Sequence, residues 1–131
     1  MTAREPQGRH IAVAEDDGLH RELVSAMLRR AGHRVNAVDG GDSCLALLAG
    51  RPFDLLVTDL FMPTGDGMSL LVALRDRGIT IPVIGMTGGC SGMVRPYADA
   101  MLSLGAETVL AKPFTSEELL AAVAARAGAL S

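Results

Sequence analysis

Asp54-Leu55-Leu56-Val57-Thr58-Asp59-Leu60 decides the reading of this chain. It is a short run with β-forming residues at its centre, too apolar for a strand with one wet face. Such a strand is buried on both sides, as in a parallel sheet covered by helices. Met62-Pro63 breaks it. Working outward, His10–Ala14 (HIAVA) and residues 81–86 (IPVIGM) have the same character, and residues 33–38 (HRVNAV) and 108–111 (TVLA) are shorter strand candidates. Between them the apolar residues recur at helical spacing. Leu19, Leu23, Met27, Leu28 and Ala31 form one stripe, stopped by Gly32. CLALLA (44–49) ends at Gly50, and MSLLVALRDRG (68–78) closes at Gly78. A fourth helix is expected from about Pro96 to Gly105, and a last one after Thr115-Ser116-Glu117-Glu118, which has capping-box spacing, ending near Arg126. Strand and helix therefore alternate five times, which predicts an α/β fold with a parallel sheet.

In such sheets ligands bind at the carboxyl ends of the strands. The residues there are Glu15 and Asp16 after the first strand, Asp59 at the end of the third, Thr87 after the fourth and Lys112 after the fifth. Carboxylates crowded together raise one another's pKa unless a cation intervenes. A hard divalent ion such as Mg²⁺ takes oxygen ligands and keeps some waters. Glu15, Asp16 and Asp59 are the candidate ligands, with the backbone carbonyl of Phe61 completing the protein's share. A carboxylate is also a nucleophile toward phosphorus. Phosphoryl transfer needs neutralisation of charge on the equatorial oxygens more than it needs acid–base help. Asp59 is the candidate nucleophile, with Lys112 and Thr87 placed to contact the phosphoryl oxygens.

Composition narrows the field. The chain has 131 residues, 49% of them hydrophobic and 21% charged, which is globular rather than disordered. A net charge of −3 gives no basic surface for nucleic acid. No apolar run approaches the roughly 18 residues of a membrane span, and the first ten residues carry no signal-peptide pattern. Cys44 and Cys90 lie far apart, outside any CxxC pattern, as expected in a reducing cytoplasm.

The ordered set Glu15-Asp16, Asp59-Leu60-Phe61-Met62-Pro63-x-x-x-Gly67, Thr87 and Lys112-Pro113-Phe114 resembles the receiver domains of two-component signalling. The resemblance covers roughly residues 8 to 127, with 1–7 and 128–131 expected to be flexible termini. It implies a flavodoxin-like, doubly wound (βα)5 sheet with strand order 2-1-3-4-5. It implies Asp59 as phosphoacceptor, Mg²⁺ on Glu15, Asp16, Asp59 and the Phe61 carbonyl, and phosphoryl contacts from Thr87 and Lys112. The donor would be a phosphohistidine on a sensor histidine kinase or a histidine phosphotransfer protein. The output would be a protein target docked on the face of the fourth helix, fifth strand and fifth helix, where Arg95, Tyr97 and Asp99 are candidates. Such a chain is not a turnover enzyme; it catalyses only its own phosphoryl transfer and dephosphorylation. The Lys112-Pro113 bond is often cis in this family.

Two features depart from the family pattern. Val109 stands where many members carry a mobile aromatic ring, and residues 88–96 look longer than usual and are expected to be mobile. Val109 keeps open a second reading, a receiver-fold interaction module that works without phosphorylation. A haloacid-dehalogenase-type hydrolase also uses a nucleophilic Asp, but its second acid would fall at Phe61. No GxGxxG follows the first strand, which argues against a dinucleotide site. Asp17 and Asp66 read as helix caps. His10, His20 and His33 have no ligand spacing and read as surface or strand-edge residues. Either a stand-alone regulator or a piece of a larger one fits the sequence.

Overall fold

The computed structural model describes residues 8–60, 62, 66–88 and 94–130, with the side chains of all of these except 94, 95, 97 and 126–130. The order is β1 (His10–Ala14), α1 (Gly18–Arg30), β2 (Arg34–Val38), α2 (Gly41–Gly50), β3 (Leu55–Asp59), α3 (Gly67–Asp76), β4 (Val83–Thr87), α4 (Val94–Ser103), β5 (Thr108–Ala111) and α5 (Ser116–Leu130). All four strand pairings are parallel, and the sheet order is β2-β1-β3-β4-β5. The direction of winding reverses at β1, so the loops after β1 and β3 flank a crevice at the switch point.

Strand periodicity sorts the core into two layers. Ile11 and Val13 of β1 and Leu55 and Val57 of β3 pack with Val24 and Leu28 of α1 and Leu119 and Val123 of α5. Their neighbours Ala12, Ala14 and Leu56 turn the other way, onto Cys44 and Leu48 of α2, Leu70 and Leu74 of α3 and Met101 of α4. Each fully buried Leu or Ile contributes roughly 1.5–3 kcal/mol. β3 is buried along its whole length, as its apolar run requires.

The helix signals act locally as expected. Asp17 caps α1, its carboxylate accepting from the Leu19 and His20 N–H groups at 3.0 and 3.4 Å. Asp66 caps α3 by accepting from Ser69 N–H at 2.7 Å. Thr115 and Glu118 form the reciprocal capping box, at 2.8 Å from Thr115 N–H to Glu118 Oε1 and 3.0 Å from Glu118 N–H to Thr115 Oγ1. Gly32, Gly78 and Gly105 end their helices at φ of +97°, +69° and +111°, which side chains with a Cβ adopt only with strain. Several boundaries differ from expectation: β4 runs Val83–Thr87 rather than 81–86, α3 ends at Asp76 before Gly78, and α4 begins at Val94, ahead of Pro96. α2 starts at Gly41, before its apolar run, and α5 continues through Leu130, past Arg126. Helix-forming alanines and a leucine carry α5 on.

Gly67 positions the segment after β3. Its N–H donates to the Leu60 carbonyl at 2.8 Å. A Cβ there would lie 2.4 Å from the Asp59 carbonyl oxygen and 3.1 Å from Leu60 Cα, both of them backbone. Gly67→Ala is therefore expected to lower stability by about 1–3 kcal/mol, read by urea unfolding. Unchanged stability would show that the start of α3 yields without cost.

Candidate functional site

Each site residue is delivered by the end of a strand. Glu15 directly follows β1, and its N–H donates to the Val38 carbonyl at 3.1 Å. Asp59 is the last residue of β3, and Thr87 the last of β4. Lys112 follows β5, where its N–H donates to the Thr87 carbonyl at 2.8 Å. The Lys112-Pro113 peptide is cis, as the family resemblance implied.

The centre is an ammonium between two carboxylates. Lys112 Nζ lies 2.8 Å from Glu15 Oε1 and 3.1 Å from Asp59 Oδ2. Glu15 is wholly buried and Asp59 is 5% exposed, so neither charge is screened by bulk water. The other oxygens are also held. Asp17 N–H donates to Glu15 Oε2 at 3.1 Å, and Leu60 N–H donates to Asp59 Oδ1 at 2.9 Å. His20 Nδ1 reaches Glu15 Oε1 at 2.6 Å.

These contacts set the protonation behaviour. Burial alone would raise the pKa of Glu15, but hydrogen bonds from Lys112, His20 and Asp17 hold it below the usual carboxylate range. Asp59 goes the other way. Burial, and then the neighbouring Glu15 charge, push it up to about 6, against the pull of Lys112. Burial disfavours the Lys112 ammonium, yet Glu15 and Asp59 raise its pKa, so it stays charged. Asp59 is thus the carboxylate short of positive charge.

Two observations bear on a ligand. Glu15, Asp16 and Asp59 offer oxygens that all lie within 4.8 Å of one another, with Asp16 exposed at the rim. That all-oxygen anionic set fits a hard divalent cation. The Thr87 hydroxyl is buried and has no hydrogen-bond partner. An unsatisfied buried hydroxyl costs about 1–3 kcal/mol, and a ligand oxygen at the rim would remove that cost.

The structure brings Glu15, Asp16, Asp59 and Lys112 into one cluster and puts Thr87 on the same rim. Phe61 lies outside the described residues, as do residues 89–93 of the glycine-rich loop. His20 is the residue that sequence reasoning missed. It was expected to be a surface residue, yet it touches Glu15 and meets Phe114 edge-on, with ring centroids 5.6 Å apart. His10 and His33 stand at the opposite end of the sheet. His10 Nε2 meets Asn36 Oδ1 at 2.6 Å, and His33 Nδ1 accepts from Arg9 N–H at 2.9 Å.

Comparison with known proteins agrees with this geometry. The response regulator receiver domain family matches residues 11–124. Response regulator protein FleR of Pseudomonas aeruginosa is 38% identical over 117 residues, covering 89% of this chain and 24% of that protein. Response regulator receiver protein CpdR of Brucella abortus is 32% identical over 112 residues, covering 86% of this chain and 91% of that one. The receiver domain of a Francisella response regulator superposes with a TM-score of 0.85 at 27% identity, covering 95% of this chain and 100% of that one. The chain thus spans about a quarter of FleR but most of CpdR. Strand order, the strand-end cluster and the match over most of the sequence agree: this chain belongs to the response regulator receiver domain family, the signalling module of two-component systems.

Proposed function

We propose that the chain is a phosphorylation switch in which Asp59 accepts a phosphoryl group from a phosphohistidine partner, a sensor histidine kinase or a histidine phosphotransfer protein. The observation that carries this reading is Asp59 itself, buried at the end of β3 with Lys112 Nζ 3.1 Å away and an acidic metal-type cluster beside it. Glu15, Asp16 and Asp59, with the Phe61 carbonyl, would hold Mg²⁺. When bound, that ion supplies charge neutralisation for Asp59 and for the incoming phosphoryl oxygens.

The chain's own residues do the rest. A carboxylate oxygen of Asp59 forms the new O–P bond as the P–N bond of the donor breaks. The electron pair leaves with the imidazole, which takes a proton from solvent. Lys112 shifts its ammonium from the carboxylates onto a phosphoryl oxygen, and the unpartnered Thr87 hydroxyl donates to another. The chain acts on itself and turns over no external substrate beyond this transfer and the loss of its own phosphoryl group. The domain spans residues 8–127 and works in the cytoplasm; among the described residues no helix is long and apolar enough to cross a membrane.

Output passes to a protein partner through α4, β5 and α5, without direct contact to nucleic acid. Asp99 is exposed on that face, while the side chains of Arg95 and Tyr97 lie outside the described residues. Phosphorylation acts there by shifting a two-state equilibrium of the face. Val109 sits opposite Gly85 in the β4–β5 pairing and packs with the α2–α4 layer, so the shift proceeds without an aromatic ring at that position.

Incubation with Mg²⁺ and acetyl phosphate is expected to give a single phosphoryl adduct by intact mass. The adduct disappears in Asp59→Asn and with a chelator. No adduct, with the metal site shown to be filled and a phosphohistidine donor also inactive, would leave the phosphorylation-independent interaction module as the function.

A second expectation follows from the raised pKa of Asp59, about 6 against an ordinary 3.8. A carboxyl that binds its proton more tightly when folded costs stability once ionised. That cost is full above about pH 6 and fades as the pH falls toward 3.8. In metal-free buffer at neutral pH, Asp59→Asn is expected to raise the unfolding free energy by about 1–3 kcal/mol. The gain shrinks toward the acid limit and is measured by urea titration at several pH values. Equal stability of the two proteins at neutral pH would contradict this.

A further inference from the structure

We propose that His20 is a positioning residue for phosphoryl transfer: it holds the buried Glu15 carboxylate so that Lys112 is free to leave it for the phosphoryl group. The inference rests on the phosphorylation reading above. Glu15 Oε1 accepts from two donors, His20 Nδ1 at 2.6 Å and Lys112 Nζ at 2.8 Å. A carboxylate oxygen only accepts, so the proton in the first contact sits on Nδ1.

Lys112 is committed twice, to Glu15 and to Asp59. Reaching a phosphoryl oxygen on Asp59 means loosening its bond to Glu15. Glu15 is wholly buried, and a buried carboxylate oxygen left without a hydrogen-bond donor is strongly disfavoured. Without a second donor on Oε1, Glu15 would hold Lys112 back at the moment the transferring group needs it. The Asp17 N–H does not replace it, because it serves the other oxygen, Oε2, at 3.1 Å. His20 fills that role.

The ring is placed for this rather than merely adjacent. It stands in the first turn of α1, three residues after the Asp17 cap, and is only 23% exposed. On the side of the β5–α5 connection it meets the Phe114 ring at an interplanar angle of 73°. Phe114 lies two residues beyond Lys112 and packs on the α1–α5 layer, so the imidazole and the lysine are referenced to the same segment.

The test is the phosphorylation rate at saturating Mg²⁺ and acetyl phosphate for wild type, His20→Ala and His20→Asn. The Asn side chain puts an N–H where Nδ1 stands but has no ring to meet Phe114. His20→Ala is expected to lower the maximal rate about tenfold, with the half-saturating donor concentration within about twofold of wild type. His20→Asn is expected to recover the rate to within about threefold of wild type. Thermal melts accompany the kinetics. If the alanine variant fails to fold, the Asn variant decides: a rate near wild type supports the donor role, and a tenfold loss overturns it. A wild-type maximal rate in His20→Ala, or equal slowing of both folded variants, also overturns it. In those cases wild type is still phosphorylated and the phosphorylation reading stands. If wild type itself takes no phosphoryl group, both fall together.

Discussion

One ammonium between two buried carboxylates organises this molecule. Lys112 Nζ sits 2.8 Å from Glu15 and 3.1 Å from Asp59, and neither acid has bulk water to share its charge. Such a pair survives burial only when each oxygen finds a donor. The backbone supplies those donors because of where the strands stop. β1 ends so that Asp17 N–H meets Glu15, and β3 ends so that Leu60 N–H meets Asp59. The continuation of β5 ties Lys112 to Thr87. The parallel sheet is thus the frame that brings distant parts of the chain, Glu15 and Lys112, into contact. The helices on both faces keep the frame dry.

Of the two buried acids, Asp59 is the one whose pKa burial and the Glu15 charge push up, and Thr87 is an unpartnered donor on the same rim. The folded chain therefore stores an imbalance at the point where chemistry is proposed. Stability and function pull in opposite directions there, as is common where a site must accept a charged group. Gly67, pressed against the backbone of Asp59 and Leu60, shows how little room the frame leaves around the acceptor.

Much of this could be read from residues alone. The continuous apolar run of β3, the glycines closing α1, α3 and α4, and the acidic caps of α1 and α3 are local effects, set by neighbours a few positions away. The strand-end acids could be found because parallel sheets place ligands there. The strand order came from the family resemblance, since register between distant strands leaves no local mark. His20 was hidden for a different reason. Five positions after Glu15, it looks like any polar residue on an amphipathic helix, and only the turn between β1 and α1 brings its ring back onto that carboxylate. At Val109 the sequence showed a missing aromatic, but not what packs there. The sulfur of Met101 lies so near Gly85 that a Cβ there would stand 2.6 Å from it, and Val109 is the next neighbour. A small residue at position 85 and a flexible thioether at 101 fill that space together.

The most direct test of the account is a crystal structure of the chain with Mn²⁺ and beryllofluoride, a stable mimic of an aspartyl phosphate. Beryllofluoride is expected on an Asp59 oxygen, with an anomalous Mn²⁺ peak among Glu15, Asp16 and Asp59. The Thr87 hydroxyl and Lys112 Nζ are expected on the fluorides, with His20 still on Glu15. A filled metal site with bare Asp59, or Lys112 still bridging Glu15 and Asp59 beneath a bound mimic, would contradict it.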